Sequence, residues 1–244
     1  MKAILLAAGA ATRLRPLTNE TPKCLLPVAG VPMLRRALTN LSACGMEELV
    51  LVTGFHAEKI QAAVREWAPA LKVTWIHNAE WATTNNSVSL LLARDAVEGQ
   101  AFVLLDSDIV FERGVVDALL ASPHADALAL RPGKMGAEEI KVELDAAGRV
   151  LLIGKTFAPE RAAGESIGIE KFSATGGHGM FEELEDRVTT QGLVNEWYEA
   201  SWQQWFDKGG VMHAVDVGAH YCAEIDTAED LEAVGRALAA RAAR

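Results

Sequence analysis

Cysteine is scarce in this sequence. Cys24, Cys44 and Cys222 are the three present among 244 residues, they fall into no metal-ligand spacing, and their odd number leaves one unpaired. A reduced, cytosolic setting is the natural expectation. Positive charge is also short: 33 acidic against 23 basic side chains leave a net charge of −10. That balance argues against a nucleic-acid binder, which carries a basic face. It leaves room for a small anionic substrate, because a few cations can dominate one pocket. No apolar run reaches the roughly 18 residues of a membrane span, so no membrane insertion is expected. The opening MKAILLAAGAATR resembles an export signal only in outline. A single lysine precedes its apolar run and a charge-rich stretch follows, so it reads as a strand and then a loop.

Low-complexity linkers and internal repeats are absent too. The chain is therefore read as one domain over residues 1–244, with a nucleotide-binding core at 1–135 and an elaboration at 136–244. Half of the residues are apolar, enough for a sizeable core. KAILLA (2–7), ELVLVTG (48–54), LKVTWIH (71–77) and AFVLLDSD (101–108) read as strands. Helical segments at 32–45, 56–67 and 86–97 alternate with them, Pro32 opening the first and Gly45 closing it. Repeated β-α units of this length predict an α/β, Rossmann-like fold: a mostly parallel sheet with helices on both faces. Beyond residue 135 the pattern predicts two strands within 140–155, a strand at 165–173 and a helix at 195–209. Two more strands are expected at 211–218 and 220–226, then a final helix from 228 to 244 capped by Thr227.

Ligands of such sheets bind at the carboxyl ends of the strands. Ala7, Ala8, Gly9, Ala10 and Ala11 follow the first strand and are small enough to let backbone N–H groups approach a phosphate, with Arg13 and Lys23 supplying cations. The loop is neither G-x-G-x-x-G nor a Walker loop. Its alanines at 10 and 11 are expected to keep negative φ. Asp106 and Asp108 end the fourth strand and suit a Mg²⁺ ion shared with phosphate, or else a turn. Asp226 ends a later strand and reads either as a helix cap or as a second carboxylate for the same ion. Asn85, Asn86, Ser87 and Ser89 stand at a helix N-terminus, which favours an anion or polar ligand.

Taken in order, MKAILLAAGAATRLRPLTNETPKCLLPVAGVPML, NNSVSL and EIDT resemble the nucleoside-triphosphate transferases that activate sugar phosphates, phosphocholine and related phosphonates, and within them the phosphocholine and phosphonate cytidylyltransferase branch. The resemblance implies that Arg13 and Lys23 hold the triphosphate and act, with Asp108, as catalytic residues. The backbone of Ala7, Ala8, Gly9 and Ala10 would hold nucleoside and phosphate, with Asn78 and Asn86 near the base. Ser87 and Asp106 join the nucleotide contacts. Asp108 and Asp226 would coordinate Mg²⁺. Lys155 would meet the acceptor's phosphate, with Asn85, Trp197, Tyr198 and Glu199 also on the acceptor side. The loop carries fewer glycines than the family does.

In NEWYEASWQQWF the aromatics Trp197, Tyr198, Trp202, Trp205 and Phe206 lie among Glu196 and Glu199. They form either an ammonium site, by cation–π and Coulomb attraction, or a helix face packed into the core. The expected activity is transfer of a nucleoside monophosphate, CTP favoured, to a small phosphate- or phosphonate-bearing acceptor with release of pyrophosphate. A sugar 1-phosphate uridylyl- or thymidylyltransferase is the nearest alternative. A metal-dependent glycosyltransferase using D-S-D as its D-x-D motif, or a nucleotide-binding protein without turnover, is the alternative from another class. The alanine-rich last helix could pack on a second copy, so a homo-oligomer stays open.

Overall fold

The computed structural model describes residues 1–137 and 139–242. Strand β1 (Lys2–Ala7) leads into the small-residue loop, and a tight ribbon of β2 (Pro27–Val28) and β3 (Val31–Pro32) precedes α1 (Met33–Ala43). There follow β4 (Glu48–Thr53), α2 (Ala57–Trp67), β5 (Lys72–His77), the short helices α3 (Asn86–Leu92) and α4 (Arg94–Val97), and β6 (Phe102–Asp106). The chain continues through β7 (Ile109–Phe111), α5 (Arg113–Ala121), β8 (Ala127–Pro132), β9 (Lys141–Leu144), β10 (Val150–Gly154) and β11 (Gly164–Phe172). It closes with α6 (Ala174–Glu185), α7 (Glu199–Asp207), β12 (His213–Asp216), β13 (Cys222–Glu224) and α8 (Ala228–Ala242).

The main sheet runs β10-β9-β11-β6-β1-β4-β5. Its β6-β1-β4-β5 half is parallel, Leu5 lying opposite both Leu51 and Leu105. β11 joins antiparallel to β6, and β8 and β12 extend the sheet from β11. The unbroken apolar run of β1 has a simple cause: helices cover both faces. Ala3, Leu5 and Ala7 pack with α1, α2 and α5, while Ile4 and Leu6 pack with α3, α6 and α7. Ile4, Leu5 and Leu6 each contribute about 1.5–3 kcal/mol by this burial. This is the α/β, mostly parallel arrangement that the β-α periodicity predicts.

The periodicity misses the short strands β2, β3 and β7 and three longer elements: α5, β8 and α6. The last is written ATGGHGMFEELE, a glycine-rich run that propensity disfavours. Packing overrides propensity there. A Cβ on Gly177 would lie 2.6 Å from the Phe102 ring, so glycine lets the helix approach the sheet. The expected helix at 86–97 is broken into α3 and α4 at Ala93, and that at 195–209 begins only at Glu199. Strand 101–108 stops at Asp106 and turns. The last two residues of the expected final helix lie outside the described residues.

β11 is irregular. Its register against β8 shifts between Ser166 and Glu170, with Gly168 at φ +68°. Such a bulge re-aims side chains, commonly beside a site. It leaves Glu170 wholly buried on the α6/α7 face; one oxygen accepts from Ser166 Oγ at 3.3 Å and Oε2 has no partner. Burial, then the nearby Asp106 and Glu199, push its carboxyl well above the ordinary range. The folded chain therefore holds a proton that the unfolded chain releases. Stability is fully present below the unfolded value of 4.5 and is lost as pH rises through the folded one. Glu170→Gln removes this loss. Its melting temperature is expected to match the parent near pH 4.5 and to exceed it increasingly above that, by roughly 2–4 °C for each kcal/mol relieved. Thermal scans from pH 4 to 9 measure it, and a gap that does not widen with pH would contradict the assignment.

Candidate active site

The carboxyl ends of β1 and β6, the bulge of β11 and the segment after β13 surround a cavity of about 460 Å³. Ala7, Ala8, Gly9 and Ala11 form one wall. Ala11 departs from expectation: it lies in the left-handed region at φ 47°, ψ 56°, at a cost of roughly 1–2 kcal/mol for a residue with a Cβ. Its carbonyl accepts from Leu14 N at 3.0 Å and Thr18 Oγ1 at 2.9 Å, which fixes the turn that leads to Arg13. Ala10, expected to contact nucleotide, is not among the cavity's lining residues.

Three segments converge on Lys23. Its Nζ lies 2.7 Å from Asp108 Oδ2 and 2.8 Å from Asp226 Oδ1, although Asp226 is 203 residues away in the chain. Arg13 Nη2 lies 2.8 Å from the other oxygen of Asp226. Asp108 sits just beyond β6, where the chain turns. Antiparallel pairing of β13 with β7, Glu224 opposite Ile109, carries Asp226 beside it. Thr227 and Asp230 cap α8 reciprocally, Thr227 Oγ1 accepting from Asp230 N at 3.1 Å and Asp230 Oδ2 from Thr227 N at 2.8 Å. Asp226 is thus relieved of capping, and its side chain is given to the cations.

Burial opposes the charge of Lys23, but Asp108 and Asp226 outweigh it and hold the ammonium above the usual lysine range. Burial likewise opposes ionisation of Asp226, yet Lys23 and Arg13 pull its carboxyl down. Glu224 stands with them: oxygens of Asp108, Glu224 and Asp226 lie within 4.8 Å of one another. Burial, then Asp108 and Asp226, push Glu224 up to about 8. Asp108 Oδ1 is buried without a partner. An all-oxygen donor set with an orphaned carboxylate oxygen suits a hard divalent cation such as Mg²⁺.

The asparagines have other duties. Asn85 caps α3, accepting from Asn86 N at 2.8 Å, while its own N–H donates to Val194 O at 2.9 Å. Asn86 Oδ1 accepts from Tyr198 N at 3.1 Å. Both line the cavity, but together they stitch the start of α3 to the segment before α7. Asn78, expected near the base, is buried beneath the site. Its amide donates to Ser89 Oγ at 3.0 Å and Thr84 Oγ1 at 3.2 Å, and its oxygen accepts from Glu80 N at 2.9 Å, so it supports rather than lines the cavity. Ser87 is buried and faces away from the cavity; Ser89 lines it instead.

At the other end Asp106 lines the floor, accepting from Tyr198 Oη at 2.7 Å. It does not join Asp108 in the carboxylate group, so the D-x-D reading finds no geometry here. Tyr198 itself is fully buried and packs against Trp202 at a tilt, ring centroids 4.7 Å apart. This corrects the expectation of an acceptor contact and settles most of the aromatic run as core. Trp197 stays half exposed, with Lys155 Nζ 4.7 Å from its ring centroid. Glu199 lines the cavity while 7% exposed, and burial pushes it up to about 7. Glu165, paired with Arg131, and Trp81 also line the cavity and were not anticipated. Glu224 was legible in principle: it alternates with Asp226 at a strand end.

A loop of small residues, two cations and a carboxylate group meet at the carboxyl ends of β1 and β6 and beside β13, and the chain spans only about a fifth to two thirds of the length of the curated relatives it matches. Residues 3–187 match the MobA-like NTP transferase domain, and the chain belongs to that family. It is 38% identical over 136 residues, 54% of this chain and 22% of the relative, to CMP-5'-(3-aminopropyl)phosphonate synthase of Streptomyces rubellomurinus. It is 30% identical to 2-aminoethylphosphonate cytidylyltransferase of Lancefieldella rimae, over 70% of this chain and 67% of that one. The fold is that of CTP:phosphocholine cytidylyltransferase from Streptococcus pneumoniae, with a TM-score of 0.80 at 18% identity covering 97% of this chain and 98% of that one.

Gly168 is the hinge of this arrangement. Its φ is positive, and a Cβ there would lie 2.9 Å from Asp106 Oδ2. Gly168→Ala is expected to lower stability by about 1–3 kcal/mol, read from urea unfolding. An unchanged midpoint would show that the bulge relaxes freely.

Proposed function

We propose that the protein is a Mg²⁺-dependent cytidylyltransferase that transfers CMP from CTP to a small phosphate- or phosphonate-bearing acceptor and releases pyrophosphate. The observation that carries this reading is the meeting of Arg13, Lys23, Asp108 and Asp226 beside the small-residue loop. The choice of CTP over UTP or dTTP, and of a phosphonate or phosphocholine-type acceptor over a sugar 1-phosphate, draws on the relatives' activities.

In the proposed reaction an acceptor oxygen attacks the α-phosphorus in line and displaces pyrophosphate. That oxygen is anionic at neutral pH, so no strong general base is required. Alignment and charge neutralisation lower the barrier instead. Lys23 and Arg13 meet the triphosphate, while the backbone beside Ala8 and Gly9 admits it without obstruction. Lys155 orients the acceptor's anionic group. Asp108 and Asp226, with Glu224 beside them, would hold Mg²⁺, which when bound supplies positive charge against the phosphates. The carboxylates paired with Lys23 are the same ones that would hold the ion, whose positive charge would then compensate them alongside the ammonium.

The test is pyrophosphate release with Mg²⁺, crossing CTP, UTP, dTTP and ATP against phosphocholine, aminoethyl- and hydroxyethylphosphonate and several sugar 1-phosphates. CTP with a phosphonate or phosphocholine is expected to give the strong signal; silence throughout would overturn the reading. Asp108→Asn is expected to lower kcat by about 10²–10³-fold or more while the chain stays folded. Lys23→Ala should weaken NTP use by a comparable factor. Near-parent rates in Asp108→Asn would remove its proposed metal role, and in Lys23→Ala would return the loop to a solvated surface.

A further inference from the structure

One lysine of the sheet is buried away from both solvent and the cavity. Lys141 opens β9, is 1% exposed and lies outside the cavity lining. Taking an ammonium out of water is costly unless it is paired and hydrogen-bonded. Its cross-strand neighbour on β11 is Glu165, and facing side chains of opposite charge commonly pair. Glu165, however, pairs with Arg131, and the Lys141 ammonium turns to the backbone: Nζ donates to Lys155 O at 2.6 Å. That carbonyl is the first beyond the β9–β10 ladder, whose last pair is Gly154 with Lys141 itself. β10 is the outermost strand at its end of the sheet, and at Gly154, with φ +141°, the chain leaves the strand direction. Before that point Gln203 of α7 pins β10 from outside, accepting from Ile153 N at 3.0 Å and donating to Leu151 O at 3.3 Å. Beyond it, Lys141 takes over as a backbone anchor. The Lys155 side chain then enters the cavity lining, its Nζ 4.7 Å from the Trp197 ring centroid.

We propose that Lys141 is a positioning residue: it fixes the backbone at Lys155, and so the place at which the Lys155 ammonium meets the acceptor's phosphonate or phosphate. The inference rests on the nucleotidyltransferase reading and adds to it a residue that touches no substrate. A hydrogen bond from an ammonium is roughly twice as strong as one between neutral groups, which suits a tether that holds a carbonyl beyond the end of its ladder. Placement matters because a shift of about 1 Å in a substrate-positioning group can cost on the order of 100-fold in rate. Lys155 meets the anionic group alone, so the effect of Lys141 is independent of the acceptor's other end. A lysine buried only for stability would behave differently. Replacing a buried charge by an apolar side chain of similar length is often neutral or stabilising, so acceptor binding can be lost while the fold is kept.

The experiment measures kcat and KM with Mg²⁺ and saturating CTP for each of 2-aminoethylphosphonate, phosphocholine and glucose 1-phosphate that the parent turns over. The variants are Lys141→Met, Lys141→Gln, Lys155→Ala and Lys141→Met combined with Lys155→Ala, each checked by thermal melting. Lys141→Met is expected to raise KM by about 10-fold or more for every acceptor used, to leave kcat and the KM for CTP within about twofold, and to melt no lower than the parent. In the Lys155→Ala background the same substitution should change KM by less than about twofold, because the side chain it places is gone. An unchanged acceptor KM in Lys141→Met, an equal rise in the KM for CTP, or a full loss that persists without the Lys155 side chain would overturn the assignment while the transferase reading stands. Failure of both Lys141 variants to fold would overturn it too, marking Lys141 as a stability residue. Silence of the parent in pyrophosphate release would sink the transferase reading, and calorimetric titration with the same three compounds then decides Lys141. Binding weakened by Lys141→Met only when Lys155 is present would uphold the positioning role, whereas equal binding, or none by the parent, would overturn both.

Discussion

The ammonium of Lys23, held between Asp108 and Asp226, is the contact around which the cavity is arranged. It joins the loop after β1, the turn after β6 and the segment after β13. A partly buried ion pair of this kind is weak evidence for stability, because desolvation offsets much of the attraction. Its role is geometric. It brings two carboxylates close enough to share a cation, and together with Arg13 it pulls the carboxyl of Asp226 down against the effect of burial.

The opposite end of the cavity has the reverse character. There the bulge of β11, made possible by Gly168, turns Ser166 and Glu170 toward the α6/α7 face, close to Asp106. Acid accumulates there with Lys155 facing it, and burial raises Asp106, Glu170 and Glu199 together. One cavity thus has a wall where two cations meet three carboxylates beside the small-residue loop, and a floor where acid is buried.

Asn85 and Asn86 connect the two ends. By capping α3 and binding the backbone of Val194 and Tyr198, they fix the start of α7, and with it Glu199, relative to the helix beside the nucleotide wall. Polar residues at a helix start can serve a ligand, a cap or a neighbouring segment with the same atoms. Spacing in the chain does not distinguish these uses, which is why Asn78 and Ser87, expected to touch nucleotide, are instead buried outside the cavity lining.

The sequence by itself determined the alternation of strands and helices through β6, the small-residue loop with its two cations, and the acidic residues at strand ends. These follow from periodicity, side-chain size and charge, which are local properties. Only the tertiary structure decided that Asp108 and Asp226 meet on Lys23 while Asp106 turns to Tyr198, and that Glu224 joins the carboxylates. It alone sent Tyr198 and Trp202 into the core and left Trp197 at the surface, and it alone drew the glycine-rich α6 onto Phe102. Each depends on pairing between segments distant in the chain, where burial and register, rather than propensity, choose which face of a strand or helix meets the cavity.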